Sequence, residues 1–207
     1  TIQYIACQAL KDGVEAYQAD GGIVVIIEPK TGQVMAMCSA PDFDPNVFGE
    51  VDEISTYNNS AIFEAYEPGS VFKPLVMAAA LDDGVLTPST LFTDTGEVEI
   101  DEYTIRNSDL KAHGIVDMTG VLEESLNTGM IHVMRLLGGP LMTSYIEDFG
   151  FGTISGIELN TESSGTLASL YKDSEIYYAT ASYGQGITVT PVQIAMAYAA
   201  MANEGEL

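Results

Sequence analysis

A hydroxyl and an amine three residues apart on a helix share one face. At that spacing a neutral lysine can take the serine proton and turn the oxygen into a nucleophile. The sequence offers the spacing at Ser70/Lys73, Ser108/Lys111 and Ser169/Lys172. Only the first pair opens a strongly apolar segment, where helix-start N–H groups and the helix dipole can stabilise an oxyanion or depress a pKa. Lys73 lies among Val71, Phe72, Leu75 and Val76, and burial in such company pushes a lysine pKa down toward working pH. A capping serine followed by a lysine with its stem along apolar surface leaves the same signature, so the pair alone keeps both readings open.

Ser125-Leu126-Asn127 is the single Ser-x-Asn in the chain. In a turn between two helices its hydroxyl can relay a proton to a leaving group, and its carboxamide can bind a substrate amide and orient the lysine. An ordinary helix break built from turn formers is the alternative. His113 falls in a loop and His132 in a helix, neither in a ligand motif, so both are read as structural and no metal or other cofactor is called for. Cys7 and Cys38 lack the spacing of a metal knuckle. Two buried free thiols are the expectation, with a disulfide the alternative.

These groups must be held by a mixed helix and sheet scaffold. Residues 3–19 carry apolar residues at helical spacing, ended by Gly21-Gly22. A hairpin follows, with Ile23 to Ile27 as a buried strand, Gln33 to Cys38 as its partner and Pro29-Lys30-Thr31-Gly32 as the turn. Residues 39–60 read as a long surface connection. Ser70 to Asp83 is an Ala- and Met-rich helix buried on nearly all sides, with Pro74 in its first turn and Gly84 after its end. Residues 92–106 suggest a small peripheral hairpin. A short helix to about Glu124, a turn at Ser125-Leu126-Asn127, a helix to about Leu137 and another over Pro140 to Phe149 come next. The last helix starts at Thr190 as cap, with Pro191 first and Gln193 three after the cap, and runs to about Ala202. No internal repeat is present, and the 207 residues fit one domain better than two.

Thirty acidic residues against seven Lys plus Arg give a formal charge of −23, which repels a phosphate backbone and rules against nucleic acid as a partner. No stretch of 18 or more apolar residues is long enough to span a membrane. The chain begins with Thr1, and Asn203 to Leu207 run past a helix end, so it is read as an excerpt of a longer protein.

The string Tyr66-Glu67-Pro68-Gly69-Ser70-Val71-Phe72-Lys73-Pro74 is similar to the first active-site motif of the penicillin-binding transpeptidases, and Ser125-Leu126-Asn127-Thr128-Gly129 resembles their second. Pro29 to Gly32, Ala40 to Asn46, Phe149 to Gly152 and Tyr183-Gly184-Gln185-Gly186-Ile187-Thr188-Val189-Thr190-Pro191 match in the same order over nearly the whole chain. The last two stretches resemble class B members, which lack a glycosyltransferase. The resemblance implies an α/β (α+β) fold of the beta-lactamase/transpeptidase type: a helical region plus a sheet with helices on both faces, its late strands beyond this excerpt. It implies a serine D,D-transpeptidase in which Ser70 attacks the penultimate D-Ala carbonyl of a peptidoglycan stem peptide, releases the terminal D-Ala and passes the acyl group to an amine of a neighbouring strand. Beta-lactams acylate the same serine in that family. Lys73, Ser125 and Asn127 take the other catalytic places. Tyr183, Gln185 and the flanking Gly184 and Gly186 are read from the sequence as shaping the substrate side of the cleft, with a tight structural turn the alternative. Also implied are divisome or elongasome membrane proteins as partners, and a place on the extracytoplasmic face of the cell membrane, anchored from outside the excerpt.

The sequence departs from the family pattern at the third motif, Lys-Thr-Gly on a late strand. The Lys30-Thr31-Gly32 present here lies before the nucleophile in a hairpin turn and takes no catalytic role. Truncation before the motif is expected to explain this better than degeneration, and since loss of the oxyanion donor on that strand costs about 10²–10³ in rate, the excerpt by itself is expected to be a weak enzyme. A beta-lactamase is the nearest rival, but Glu123-Glu124-Ser125-Leu126-Asn127 overlaps the second motif instead of following it. A beta-lactam sensor or a catalytically silent wall-binding scaffold is the rival from a different class.

Overall fold

The computed structural model describes residues 1–51 and 53–207. In chain order the first elements are α1 (Ile2–Tyr17), β1 (Gly22–Ile27), β2 (Val34–Ala40) and the short α2 (Ser60–Phe63). Next come α3 (Lys73–Asp82), β3 (Leu91–Asp94), β4 (Glu97–Ile100), β5 (Tyr103–Arg106), β6 (Gly114–Asp117), α4 (Met118–Glu123), α5 (Asn127–Leu137), α6 (Gly139–Asp148) and α7 (Glu175–Ser182). The last is α8 (Pro191–Ala202). The chain divides into two compact units, one of Thr1–Ala65, Thr153–Gly165 and Val189–Leu207, the other of Tyr66–Gly152 and Thr166–Thr188.

In the first unit β1 and β2 form an antiparallel hairpin with Gly22 opposite Ala40 and a bulge at Ile26/Ile27. The β-branched run makes β1 a strand, yet Ile26 is exposed and its other residues are half-buried rather than buried, as a hairpin of two strands packed by α1, α2 and α8 leaves its surface partly open. Gln3 of α1 acts as a surrogate neighbouring strand. Its side chain donates to Met37 O at 2.9 Å and accepts from Met37 N–H at 2.9 Å, satisfying both main-chain groups of that residue. The same packing corrects the cysteine expectation: Cys7 and Cys38 form a disulfide, with Cα atoms 5.6 Å apart. They lie 31 residues apart in sequence, and only the docking of α1 on β2 brings them together. The 39–60 connection holds two 3₁₀ turns, Pro45–Val47 and Ile54–Tyr57, and a cluster of Phe43, Phe48 and Tyr57 rings. It ends in α2, capped by Asn59. α8 begins with the expected capping box at Thr190 and Gln193. The Gln193 amide also donates to Thr153 O and Ser164 O, at 2.7 and 3.0 Å, which ties the 153–165 segment down.

In the second unit α3 is the core helix. Leu75, Val76, Met77, Ala79 and Ala80 are buried, and each large side chain among them contributes about 1.5–3 kcal/mol by leaving water. Gly129 sits where a Cβ would come within 2.6 Å of Val121 Cγ1, so α4 and α5 can meet closely only with glycine there. The expected peripheral hairpin is β4–β5, with Glu97 opposite Arg106. β3 instead pairs with β6, Leu91 opposite Asp117. The sequence did not mark β6, a four-residue strand that exists through this non-local pairing. α7 also went unmarked, because its N-terminal Ser174 makes no side-chain cap and its Tyr and Thr residues weaken the helical signal.

Candidate active site

Pro68 and Gly69, the latter at φ +62°, turn the chain into a 3₁₀ segment, Gly69–Phe72, and α3 begins only at Lys73. Ser70 therefore stands in the tight turn before the helix, exposed, rather than in the helix itself. Its carbonyl accepts the Lys73 N–H, which fixes the two residues one turn apart. Among the described residues neither the Ser70 hydroxyl nor its N–H has a hydrogen-bond partner.

Lys73 is 1% exposed. Its amine donates to Ser125 O at 2.6 Å and to Ser125 Oγ at 3.0 Å. Burial disfavours the charged amine and pulls its pKa down from 10.5 to about 8. Ser125 reaches the amine through the way α4 ends. Ser125 N–H donates to Leu122 O and Leu126 N–H to Val121 O, the paired bonds of a Schellman cap. Ser125 takes the left-handed position of that cap at φ 54°, where glycine is usual. The turn thereby aims both the carbonyl and the hydroxyl of Ser125 at one amine.

Asn127 opens α5, and its amide donates to Arg106 O of β5 at 2.9 Å. Beneath it lies a buried polar network. Asn107 Oδ1 accepts the Thr128 N–H at 3.2 Å, capping α5 from another element, since Leu126 offers no side-chain cap. Asp94, 2% exposed, accepts from Thr128 Oγ1 (2.7 Å), Gly96 N–H (2.9 Å), Asn107 Nδ2 (2.9 Å) and His113 N–H (2.8 Å). Burial raises its pKa, but those four hydrogen bonds together outweigh burial and hold the carboxyl below its usual value.

The structure thus joins Lys73 to Ser125 directly, sets Ser70 one turn before the lysine, and places Asn127 two residues beyond the serine it accompanies. Gly184 and Gly186 meet the loop that carries Ser70. Gly69 N–H donates to Gly184 O, and Gly186 N–H to Glu67 Oε1, both at 2.8 Å, while Gln185 is exposed. The other Ser/Lys pairs go elsewhere. The Ser108/Lys111 pair lies in a loop where Lys111 N–H donates to Asp109, and Ser169 donates to Gly186 O while Lys172 lies over the Tyr177 ring. His132 stacks on Phe92, with its pKa lowered by burial and by Arg135, and His113 pairs with Asp109 at 3.0 Å. Asp94 and Asn107 went unnoticed in the sequence, and Thr128 figured only as part of the second motif, because nothing local signals a network spanning 34 residues.

Comparison with known proteins fits this geometry. Residues 22–207 match the family described as the penicillin binding protein transpeptidase domain. Stage V sporulation protein D of Bacillus subtilis is 38% identical over 208 residues, covering 100% of this chain and 32% of that protein. The probable peptidoglycan D,D-transpeptidase PenA of Neisseria gonorrhoeae is 31% identical over 206 residues, 100% of this chain and 35% of its own. The transpeptidase domain of Burkholderia pseudomallei penicillin-binding protein 3 superposes with a TM-score of 0.87 at 29% identity, covering 100% of this chain and 57% of that one. The mixed helix and sheet fold is that of these domains, as expected from the motifs. The chain spans about a third of the length of the curated relatives it matches.

Proposed function

This chain belongs to the penicillin-binding protein transpeptidase family, alongside class B relatives, and on that basis we propose that it carries the acylation machinery of a peptidoglycan D,D-transpeptidase with Ser70 as nucleophile. The observation that carries the reading is the buried Lys73 amine, lowered to about 8 and bonded to Ser125 one turn from Ser70. Neutral Lys73 takes the Ser70 proton as Oγ bonds to the penultimate D-Ala carbonyl carbon of a stem peptide, and the Ser70 N–H faces the oxygen that becomes negative. The C–N bond to the terminal D-Ala then breaks, with the proton passing from the lysine through the Ser125 hydroxyl to the departing amine. An amine from a neighbouring strand attacks the resulting ester, its proton returning to Ser70 Oγ. Asn127 binds a substrate amide beside this path. A beta-lactam enters the same sequence and stops at the ester.

Residues 1–207 form part of one transpeptidase domain in this reading, working on the extracytoplasmic side of the membrane beside divisome or elongasome proteins. The cystine between Cys7 and Cys38 suits an oxidising compartment. The test is mass spectrometry of the full-length protein after benzylpenicillin, with peptide mapping. One adduct per chain on the Ser70 peptide supports the proposal. An adduct elsewhere overturns it, and rapid repeated turnover of nitrocefin would indicate a beta-lactamase instead.

A further inference from the structure

Two loops are clasped at the nucleophile. Gly69 N–H donates to Gly184 O at 2.8 Å. Gly184, at φ +82°, in turn lies so close to Gly69 that a Cβ on it would collide with Gly69 O and come within 2.6 Å of its N and 2.8 Å of its C. Those are rigid main-chain atoms, which cannot move aside as a flexible side chain would. Two residues further on, Gly186 N–H donates to Glu67 Oε1 at 2.8 Å. The two ties therefore fall on either side of Pro68. The clasping loop is itself fixed: Tyr183 and Gln185 N–H groups both donate to Thr180 O at the end of α7, Ser169 Oγ donates to Gly186 O at 2.6 Å, and Tyr183 is buried.

The consequence follows from peptide geometry. In a planar trans peptide the N–H of Ser70 is antiparallel to the Gly69 carbonyl, so the two turn together or not at all. A carbonyl lodged against Gly184 fixes the direction of an N–H that has no acceptor among the described residues and belongs to an exposed serine. Oxyanion donors act through such prior fixing, because they need no reorganisation when charge develops.

We propose that Gly184 and Glu67 are positioning residues for acylation, holding the Gly69–Ser70 peptide so that its N–H meets the developing oxyanion. This assigns Gly184 and Gly186 to the back of the nucleophile loop instead of the substrate, and it rests on the reading of Ser70 as nucleophile.

The test uses the full-length protein with a fluorescent penicillin, resolving the acylation rate constant from the prior binding constant and recording final labelling and melting temperature. Gly184→Ala is expected to slow acylation about 10²-fold, as loss of an oxyanion donor does, with binding altered less than about threefold and labelling still reaching one per chain. Glu67→Ala removes one hydrogen bond and slows acylation roughly three- to tenfold. Glu67→Gln, whose amide oxygen accepts the same N–H, recovers most of that loss. A purely structural role gives a different result: fewer chains label and melting falls, while the labelled fraction acylates at the unmodified rate, which overturns the proposal. If Gly184→Ala does not fold, the Glu67 pair decides, and equal rates for Glu67→Ala, Glu67→Gln and the unmodified protein overturn it. Failure of the unmodified protein to acylate at Ser70 is a separate result that removes the nucleophile assignment itself.

Discussion

Burial of Lys73 makes a quantitative forecast. An exposed lysine at 10.5 is neutral in only about one molecule in three thousand at pH 7, whereas at about 8 the neutral fraction is about one in ten. Lowering the pKa to about 8 thus raises the population of neutral amine about 300-fold before any geometry is counted. In the proposed mechanism the deprotonated form is the active one, which sets the sign: acylation of the full-length protein by a penicillin should climb with unit slope on a logarithmic plot from pH 6 and level off above about 8. Lys73→Arg keeps the charge at every accessible pH and should lose about 10³ in rate together with the inflection. Stopped-flow acylation over pH 6–10 reads both. A flat profile, or an inflection near 10 with Lys73 intact, would refute the reasoning, because the first denies that Lys73 is the base and the second that it is desolvated.

Lys73→Met should abolish acylation yet raise stability at pH 7 by roughly 1–2 kcal/mol, the relieved desolvation less the lost bonds to Ser125. The folded pKa lies below the unfolded one, so the unfolded chain holds the extra proton between about 8 and 10.5, and chemical denaturation should show the advantage shrinking across that window. Asp94→Ala strands four donors and should cost at least about 3 kcal/mol, measured by the same method. The Asp94 pKa is depressed on folding, so its contribution is present above the unfolded carboxylate range and is lost as acid takes the pH down through the folded value; the gap to Asp94→Asn should close there. Reducing the Cys7–Cys38 bridge, which spans 31 residues, should destabilise the chain by about 3–4 kcal/mol, and alkylation should tag both cysteines only after reduction.

Much of the site was legible because its signals are local. Ser70 and Lys73 lie within one turn, and the apolar run around the lysine announces burial by composition alone. Pro191 with Thr190 and Gln193 fixed the start of α8, since a capping box is satisfied among neighbours. The helix break at Ser125 was also readable, with α4 and α5 ending and starting where the turn formers stand.

Tertiary structure decided what those groups do to one another. That Ser125 takes the left-handed place of a Schellman cap, and so offers two acceptors to an amine 52 residues away, depends on how α5 packs against both α4 and α3. The cystine, the Asp94 network and the hold of Gly184 on Gly69 likewise join residues that no periodicity relates. A chain's sequence specifies hydrogen bonds within a turn almost directly. Contacts closed by long loops exist only once burial has offset their entropy, so they are written in the whole core and in no single motif.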